Sequence, residues 1–427
     1  MKKLTSVLIG AGNRGCIYAD YSLVKPDELK IIAVVEPNDL RRKEAQIKYN
    51  IPSDRVFVNI DDFIKEKIQC DFVINATMDD LHYQTAKTLM ENGYNILLEK
   101  PIVSNESKLI ELQNIARDKG VKVIVCHVLR YTKFYKKIKE IINSGLIGEI
   151  STIEVNEHVG IAHFVDSFVR GKWGKQSECG SGFLLQKSCH DMDLICWLNN
   201  RTSPEYISSF GSRSLFIKEN KPQNATKYCI DCPHEKTCLY SARKIHVELD
   251  SMPFQTWSDM NKPIDQITKE EKLEWIKNHP YGRCVYDNGG DINDRQTVMI
   301  QFKNGSTAMF TMIGAVSRAQ RYLHICGNKG EIEGKLDENK FLLRIFDRSE
   351  NNFDYKEEEI NVSENVVNNE KYNGHGGGDY AIMEETCRYF NGDDSSVSIT
   401  SLDDSINSHL VVYAAEKSNK EKVVIKL

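Results

Sequence analysis

The N-terminal part of the chain alternates short apolar runs, rich in β-branched residues, with amphipathic stretches that repeat apolar residues at helical spacing. The short runs predict strands and the amphipathic stretches predict helices. Strands that alternate with helices are typical of βαβ units with right-handed crossovers, which build a doubly wound parallel sheet. The predicted strands are Ser6–Ile9, Ile31–Val35, Phe72–Asn75, Ile96–Leu98 and Val121–Val125, with helices over Leu81–Glu91 and Lys108–Lys119.

Beyond a helix predicted over Phe134–Asn143, the chain changes to strand-like segments joined by tight turns such as Lys303-Asn304-Gly305. Short connections of this kind favour antiparallel pairing. We therefore predict an α/β Rossmann domain over residues 1–127 and an α+β domain over residues 128–427 with a large, mainly antiparallel open sheet. The predicted strands of the second domain are Thr152–Glu157, Thr297–Phe302, Thr307–Met312, Leu323–Cys326 and Leu342–Phe346, with helices over Asp379–Phe390 and Leu402–Ser418 and a final strand over Val423–Leu427.

A stretch from about Leu215 to Asp291 lacks clear periodicity, and we interpret it as an insertion in the second domain. It contains the compact pattern Cys229-x2-Cys232-x5-Cys238. Three thiols this close suit a tetrahedral structural zinc site, which would anchor a segment with little core of its own. Cys284 is the predicted fourth ligand and His234 is the rival, while free cysteines or an iron–sulfur cluster are the alternatives.

Composition and charge narrow the class of protein. The 427 residues exceed one ordinary domain, and 41% hydrophobic with 27% charged residues is usual for a globular chain. A formal net charge of −5 gives no indication of nucleic acid or a membrane surface as a partner. No apolar run is long enough for a transmembrane helix, the apolar stretch after Met1 is too short for a signal peptide, and most of the 12 cysteines are single. These features predict a cytoplasmic protein without a disulfide framework.

A glycine pattern follows the first predicted strand and opens the first helix. Gly10-Ala11-Gly12-Asn13-Arg14-Gly15 matches Gly-x-Gly-x-x-Gly. The first glycine allows a tight turn, the second lets the backbone approach a pyrophosphate, and the third lets the helix pack on the sheet. An acid, Glu36, ends the next strand, where it is placed to accept hydrogen bonds from an adenosine ribose. Together these features predict a dinucleotide site.

Glu36 favours NAD over NADP, because a carboxylate repels a 2′-phosphate. Pro37 also removes one backbone donor that a phosphate would use. Arg41 and Arg42 follow closely and keep NADP open as the alternative.

The main candidate for acid–base chemistry is the lysine in Glu99-Lys100-Pro101, directly after the strand Ile96–Leu98. Ligands of open α/β sheets bind beyond the carboxyl ends of the strands, so Lys100 is expected near the nicotinamide. A lysine desolvated there has a lowered pKa and exchanges a proton with a substrate hydroxyl, and a solvated surface lysine is the alternative. The residues that we expect around the cofactor are Gly10, Gly12, Asn13, Arg14, Gly15, Glu36, Thr77, His82, Glu99, Lys100 and Pro101.

The glycine pattern, the Glu-Lys-Pro motif and a later histidine motif together resemble the Gfo/Idh/MocA oxidoreductases, a family that includes glucose–fructose oxidoreductase and inositol dehydrogenase. The resemblance extends over nearly the whole chain and includes Gly145–Ile150, where the second domain begins. It implies that Lys100 lies near both the nicotinamide and the substrate hydroxyl. It also implies a homodimer or homotetramer, the usual assembly of the relatives.

The histidine motif is Gln186-Lys187-Ser188-Cys189-His190-Asp191-Met192-Asp193. Many relatives carry an Asp four residues before the His, and the Gln186 of this chain puts the usual role of that side chain in doubt. Lys187 lies three residues before His190, so both would share one face of a helix. We expect Lys187 to bind substrate oxygens or to lower the pKa of Lys100. His190 is the predicted general acid–base group, because its ordinary pKa is near neutral, and a buried structural histidine is the alternative.

Several other residues are candidates for binding substrate. His375 lies in the glycine-dense Gly374–Asp379, where a backbone can approach a ligand closely. Trp173 offers an aromatic face of the kind on which sugars pack. Arg130 and Tyr131 follow the strand Val121–Val125, and interdomain packing is their alternative role. The predicted substrate residues are Arg130, Tyr131, Arg170, Trp173, Asp191 and His375.

These residues predict an NAD(P)-dependent oxidoreductase that transfers hydride between nicotinamide and a hydroxyl or keto carbon of a carbohydrate-like sugar, polyol or glycoside. A base removes the hydroxyl proton while the hydride moves to the nicotinamide ring. Two alternatives stay open. One is a glycosidase of the kind found among relatives, which retains NAD and acts by transient oxidation and elimination. The other is a non-catalytic NAD-binding regulator.

Overall fold

The computed structural model of the chain describes residues 2–349, 352–363 and 374–427. Its N-terminal strands are β1 (Leu4–Ile9), β2 (Leu29–Val35), β3 (Val56–Phe57), β4 (Phe72–Asn75), β5 (Ile96–Leu98) and β6 (Val123–Val125). They form one sheet in the order β3-β2-β1-β4-β5-β6, and all neighbouring pairs are parallel. This sheet confirms the predicted Rossmann layer.

Helices cover both faces of this sheet. They are α1 (Asn13–Ala19), α2 (Tyr21–Val24), α3 (Asp39–Lys48), α4 (Ile60–Lys65), α5 (His82–Glu91) and α6 (Glu106–Lys119). In β1, Val7 and Ile9 point into an apolar cluster shared with α5 and α6, whereas Leu4 and Leu8 point into the cluster on the other face. Because both faces are buried, the strands read as continuous apolar runs in the sequence.

The second sheet has nine strands. They are β7 (Ile150–Gly160), β8 (Pro204–Ser212), β9 (Arg295–Phe302), β10 (Thr307–Val316), β11 (Gln320–Gly327), β12 (Gly330–Lys335), β13 (Lys340–Ser349), β14 (Asn352–Asn361) and β15 (Ile425–Lys426). Their order is β14-β13-β12-β11-β7-β10-β9-β8-β15, and the β7–β10 pair is parallel while the other neighbours are antiparallel. The sheet confirms the predicted large, mainly antiparallel open sheet.

The remaining helices are α7 (Lys133–Ser144), α8 (Ile161–Phe164), α9 (Gln176–Cys179), α10 (Phe183–Gln186), α11 (Cys189–Leu198), α12 (Pro253–Thr256), α13 (Lys269–Ile276), α14 (Gly378–Phe390) and α15 (Leu402–Glu421). All ten residues of α11 are buried. None of the helices in the described part of the chain combines the length and apolar composition that a membrane crossing requires.

The two C-terminal helices return to the first sheet. Ile382 and Met383 of α14 join the apolar cluster of Leu4 and Leu8, and Leu402 of α15 joins the opposite cluster. These helices therefore belong to the core of the Rossmann layer, although they lie beyond the predicted boundary at residue 127. They bring side chains from the end of the chain to the edge where β1, β4 and β5 terminate.

The predicted insertion lies between β8 and β9. It contains α12, α13, short single turns and a π-helical segment over Arg243–Glu248. A small apolar cluster of its own holds it together, formed by the buried residues Cys229, Ala242, Val247, Trp257, Ile267 and Ile276.

Candidate functional site

The glycine loop between β1 and α1 has a backbone that suits a dinucleotide. Gly10 has φ +85°, and a Cβ there would meet Ala76 O at 2.5 Å. A Cβ on Gly15 would meet Gly10 O at 2.0 Å, so the helix lies directly against the turn. A Cβ on Gly12 would meet nothing within 4 Å, so the backbone there faces open space. A pyrophosphate fits this space, beside the helix that begins at Asn13 and whose first N–H groups lack intrahelical partners.

Glu36 lies at the end of β2 with its carboxylate turned towards the glycine loop. One oxygen accepts a hydrogen bond from Ala11 N at 2.8 Å and the other accepts one from Asn38 N at 2.9 Å. Arg42 donates to Glu36 O at 2.7 Å and pairs with Asp39, so its guanidinium is already engaged. The carboxylate is therefore fixed beside the loop, which fits the predicted hydrogen bond to an adenosine ribose.

His82 connects the loops that follow β4 and β5. Its ring is 1% exposed, with Nδ1 at 2.6 Å from Pro101 O and Nε2 at 3.0 Å from Thr77 O. The histidine thus fixes two strand ends relative to each other at the edge where the cofactor is expected. Its observed contacts are with the protein, and a direct contact of these residues with the cofactor stays a prediction.

Arg14 links the glycine helix to the second domain. Its Nε donates to Glu99 Oε1 at 2.8 Å, and its Nη2 lies 2.7 Å from Asp379 Oδ1. Glu99 also accepts from Tyr18 Oη at 2.7 Å and from Lys100 N at 2.6 Å. Burial alone raises the pKa of Glu99, but the charges of Arg14 and Lys100 hold it below its ordinary value. Glu99 is thus a buried anion that fixes the backbone of the catalytic candidate.

Lys100 extends from the end of β5 towards the second domain. Its Nζ donates to the main-chain oxygen of Gln186 at 2.8 Å. The Gln186 side chain turns away, with its Nε2 bonded to Ser181 O and lying 2.8 Å from Cys179 Sγ. Where many relatives carry an Asp, this chain therefore presents a backbone oxygen to the lysine.

The predicted helical pairing of Lys187 with His190 is wrong. Helix α10 ends at Gln186 and α11 begins at Cys189, and Lys187 between them has φ −122° and ψ −55°. The chain breaks there because Ser188 turns inwards to donate to Glu157 Oε2 at 2.9 Å. Both side chains still reach Lys100. Burial first, and then the positive charge of Lys100 among others, lower the pKa of His190 and of Lys187.

His190 is 2% exposed, and its Nδ1 has no hydrogen-bond partner among the described residues. The lowered pKa leaves its ring uncharged at neutral pH and able to accept a proton. The ring of His375 lies 5.9 Å from it and that of His127 lies 5.7 Å from it, centroid to centroid. Nδ1 of His375 in turn faces Asp379 at 3.1 Å. The glycine-dense loop thus brings His375 to the histidine motif, and its binding of substrate stays a prediction.

A charged network that the sequence did not reveal surrounds Lys187. Glu157 of β7 lies 3.6 Å from Lys187 Nζ and also pairs with Arg321 of β11, whose Nε donates to Asp191 Oδ1 at 2.8 Å. Burial and then Lys187 lower the pKa of the nearby His163 to about 3. Asp191, predicted to bind substrate, is therefore occupied by Arg321. Burial and the neighbouring Glu157 raise its pKa against the charge of that arginine.

Two predicted substrate residues have their polar groups paired inside the protein. Arg130 is 1% exposed, and its Nε and Nη2 bind the carboxylate of Asp193 at 2.6 and 2.5 Å. Tyr131 is also buried, with its Oη 2.9 Å from Thr400 Oγ1. A buried acid stabilises the buried charge of Arg130. These contacts give Arg130 and Tyr131 a packing role, and their contact with substrate stays a prediction.

Arg170 and Trp173 are close in the sequence, but their side chains contact different parts of the molecule. Arg170 is 4% exposed, and its guanidinium enters the insertion, where Nη2 donates to Tyr240 O at 2.6 Å. Its guanidinium is therefore engaged within the insertion, and its role in substrate binding stays a prediction. Trp173 instead reaches the first domain, where its Nε1 donates to Asp79 Oδ2 at 3.3 Å. Trp173 thus covers the loop after β4 and stays a candidate wall of the site.

The predicted cysteine ligands surround one cavity in the insertion. Cys229, Cys232, Cys238 and Cys284 all line it, together with His234. Their sulfurs do not meet at one point. Among the described residues, the group whose three ligand atoms lie within 4.8 Å of one another is elsewhere, on the outer face of the second sheet, and consists of His324, Cys326 and Glu331.

Comparisons with known proteins agree with this arrangement. The Bacillus subtilis protein YteT, which is named as an oxidoreductase, is 25% identical over 74% of this chain and 71% of its own length. The scyllo-inositol 2-dehydrogenase (NADP(+)) IolW of the same organism is 22% identical over 44% of this chain and 49% of its own length. The solved WlbA dehydrogenase of Bordetella pertussis, in complex with NADH and UDP-GlcNAcA, has a TM-score of 0.66 at 15% identity over 100% of this chain and 98% of that one, which shows a shared fold.

The family match spans both layers of the molecule. Residues 4–127 match the oxidoreductase family's NAD-binding Rossmann fold, and residues 139–427 match that family's C-terminal alpha/beta domain. The first match contains the glycine loop, Glu36 and Lys100, and the second contains His190 and His375. The chain therefore belongs to the Gfo/Idh/MocA family of NAD-binding oxidoreductases.

Proposed function

We propose that the protein is an NAD-dependent dehydrogenase that interconverts a hydroxyl and a keto group on a sugar or polyol. The observation that carries this proposal is the meeting of Lys100 with the histidine motif. Lys100 Nζ lies 2.8 Å from Gln186 O, beyond the carboxyl end of β5, and its charge acts on both Lys187 and His190. Ligands of open parallel sheets bind at this edge.

NAD, when bound, supplies the hydride chemistry. The chain must hold the hydroxyl and take its proton. His190 is the proposed acceptor of that proton, because its buried Nδ1 has no hydrogen-bond partner among the described residues. Burial first, and then the charge of Lys100, lower its pKa, which keeps the ring uncharged and also weakens it as a base. Lys100 and Lys187 supply positive charge beside the oxygen from which the proton leaves. Lys100 itself is the second candidate for the base.

The polar walls favour a polyhydroxy substrate. His375 and Lys187 approach His190 from different elements. Several hydrogen-bonding groups that converge in this way suit the hydroxyls of a sugar or polyol. Trp173, which donates to Asp79 after β4, is the candidate aromatic face for the apolar side of such a substrate. Relatives named as a scyllo-inositol dehydrogenase and as a trans-1,2-dihydrobenzene-1,2-diol dehydrogenase support a CH–OH substrate.

A panel of sugars, polyols and aryl glycosides, incubated with NAD and followed by both NADH absorbance and product analysis, tests the proposal. Lys100→Ala should lower kcat by about 10²–10⁴-fold, the usual contribution of a group that handles protons, while NAD binding persists. Lys65→Ala removes a lysine that is 73% exposed and should leave kcat unchanged. Normal turnover of Lys100→Ala, or binding of neither NAD nor NADP by the native protein, would show that the proposal is wrong.

The glycosidase with retained NAD is the second candidate. The observation that favours it is that contacts from the second domain cross the cofactor cleft, from Asp379 to Arg14 and from Trp173 to Asp79. Such contacts would slow the release of NAD between turnovers. Release of the aglycone from an aryl glycoside without net NADH would establish this function, whereas stoichiometric NADH would establish the dehydrogenase.

A further inference from the structure

The insertion contains a cavity that the proposed function does not use. Its volume is about 20 Å³, roughly the space for one water-sized guest. Cys229, Cys232, Cys238 and Cys284 all line this cavity, although Cys284 lies far from the other three in the sequence. Thiolates at this density are typical of a structural metal site in a chain without a disulfide framework.

Backbone hydrogen bonds bring the four cysteines together. Cys232 N donates to Cys229 O at 3.1 Å, which closes a tight turn between the first two thiols. An antiparallel bridge between Tyr228 and Arg283 places the distant segment beside this turn, and Cys284 N donates to Lys227 O at 2.9 Å. Cys238 N donates to His234 O at 2.8 Å, six residues after Cys232 in the same segment. Three cysteines of one segment that meet a fourth from a distant segment are compatible with a tetrahedral zinc site.

A hydrogen-bond donor points at one of the sulfurs. Nη2 of the buried Arg170 donates to Cys229 Sγ at 3.2 Å. A thiol accepts hydrogen bonds weakly, whereas a metal-bound thiolate is usually oriented by such donors.

We propose that Cys229, Cys232, Cys238 and Cys284 bind one structural Zn²⁺. Zn–S bonds of about 2.3 Å in a tetrahedron place the sulfurs about 3.8 Å apart. The sulfurs are wider apart than this in the present structure, so rotation of the side chains into the cavity accompanies binding. Four protein ligands leave no open position, so the metal stabilises the insertion and has no part in the chemistry.

The His324, Cys326 and Glu331 group is the weaker candidate. Glu331 already pairs with Arg344 at 3.2 Å and with His324 at 3.1 Å, which accounts for their closeness. All three residues are also partly exposed on the outer face of the sheet. The cysteine cavity has no acidic side chain paired with Arg170, and that cation instead faces a sulfur that becomes anionic when it binds zinc.

The metal also has a consequence for the active site, and this part rests on the proposed function. Arg170 ends the π-helical segment Val165–Arg170, and Trp173 follows it and bonds to Asp79 of the first domain. A zinc site that fixes Cys229 therefore fixes Arg170 and, through it, the segment that covers the cofactor cleft. Loss of zinc should raise the KM for NAD more than it lowers kcat.

Metal content tests the site without reference to activity. The full chain, expressed with zinc and dialysed, should contain about one zinc per molecule by plasma mass spectrometry. Cys232→Ser and Cys238→Ser should each lose stoichiometric zinc and melt at a lower temperature. Cys326→Ser is the matched control and should keep both the stoichiometric zinc and the melting temperature of the native chain. Cobalt in place of zinc should give the absorption bands of a tetrahedral cobalt–thiolate site in the native chain and in Cys326→Ser.

Several outcomes would overturn the proposal. They are a native chain without zinc whose cysteines titrate as free thiols or as a disulfide, a brown chain that contains iron and sulfide, and loss of zinc in Cys326→Ser. If zinc is present but no substrate or cofactor is turned over, the metal site stands and the proposed function fails. If NAD-dependent turnover is found but the chain contains no zinc, the proposed function stands and the metal site fails.

Discussion

At the residue scale, Glu36 is the side chain that we expect to select the cofactor. Its carboxylate is 5% exposed and held by two backbone N–H groups beside the glycine loop. Unit charges about 4 Å apart repel by roughly 1–4 kcal/mol between bulk water and a protein surface, so a 2′-phosphate is disfavoured there. Glu36→Gln keeps the shape and removes the charge, and the ratio of kcat/KM for NADP to that for NAD should rise about tenfold or more.

The control for this substitution is Asp54→Asn, which removes an acid whose side chain is 79% exposed. It should leave the ratio unchanged. If Glu36→Gln lowers kcat/KM equally for both cofactors, the carboxylate supports the loop and does not discriminate between them.

Residues whose role follows from local geometry were predictable from the sequence, whereas those paired over long distances were not. Gly10 and Gly15 are constrained by a turn and a helix that follow each other in the chain. Glu157 and Arg321 meet across 164 residues, and nothing local indicates that pair. One signal was present. Glu157 takes an inward position of β7, in line with Ile153 and Val155, where an acid needs a buried partner.

At the scale of elements, helices with strong end signals were predicted well. α6 begins after Asn105, whose side chain caps Lys108 N, and ends at Gly120 with φ +63°. The missed strands β3, β8, β12 and β14 are short or carry weaker patterns. In β12 Ile332 is the sole large apolar residue of Gly330–Lys335, and β14 is an edge strand rich in acidic residues. Charged edges prevent unwanted pairing, and for that reason they lack the apolar alternation that identifies a strand.

The outer face of β8, β9 and β10 should mediate a homo-oligomer. Large apolar side chains point outwards there, including Phe210 at 63%, Met299 at 58% and Ile313 at 37% exposure. Adjacent exposed apolar residues of this kind mark interaction surfaces. Met299→Lys should shift the protein to monomers, measured by light scattering during gel filtration. Ile47→Lys, at a site 70% exposed on α3, should leave the mass unchanged, and a monomeric native protein would refute the proposal.

At the scale of the whole molecule, residues from the N-terminal and the C-terminal parts of the chain meet at the candidate site. Helix α14 begins at Gly378 and packs on the Rossmann core. The carboxylate of Asp379, the next residue, contacts both Arg14 and His375. These two partners come from the first helix and from the loop that precedes Asp379. A local pattern does not show that an element far along the chain returns to an earlier layer, so this connection between the two layers became visible only in the fold.

Stability should decrease as the pH falls below about 6.5, because several buried histidines fold uncharged. Burial lowers the pKa of His163 and of His409 to about 3, and lowers those of His127 and His190 well below the ordinary value. Below pH 6.5 the unfolded chain then binds more protons than the folded chain, so the free energy of unfolding falls by up to about 1.4 kcal/mol per histidine per pH unit. Glu416, whose pKa burial raises to about 7, and Asp191, whose pKa burial also raises, act in the opposite direction as the pH falls towards about 4.5, and the four histidines outnumber them.

Denaturant titrations at pH 5.5, 6.0, 6.5 and 7.5, or melting temperatures where unfolding is irreversible, should show this decline. His409→Gln removes one buried histidine whose Nε2 accepts a hydrogen bond from Ile102 N at 3.1 Å and which is not proposed to exchange a proton with the substrate. The slope of the free energy of unfolding against pH should fall by up to about 1.4 kcal/mol per pH unit, which is the contribution of one proton. This change in slope does not depend on the effect of the substitution on absolute stability. His324→Gln removes a partly exposed histidine and should leave the slope between pH 5.5 and 6.5 closer to that of the native protein. A native slope that is flat or of opposite sign over this range would mean that the central histidines are charged in the folded protein, and His190 would then not be the neutral base that the proposed reaction requires.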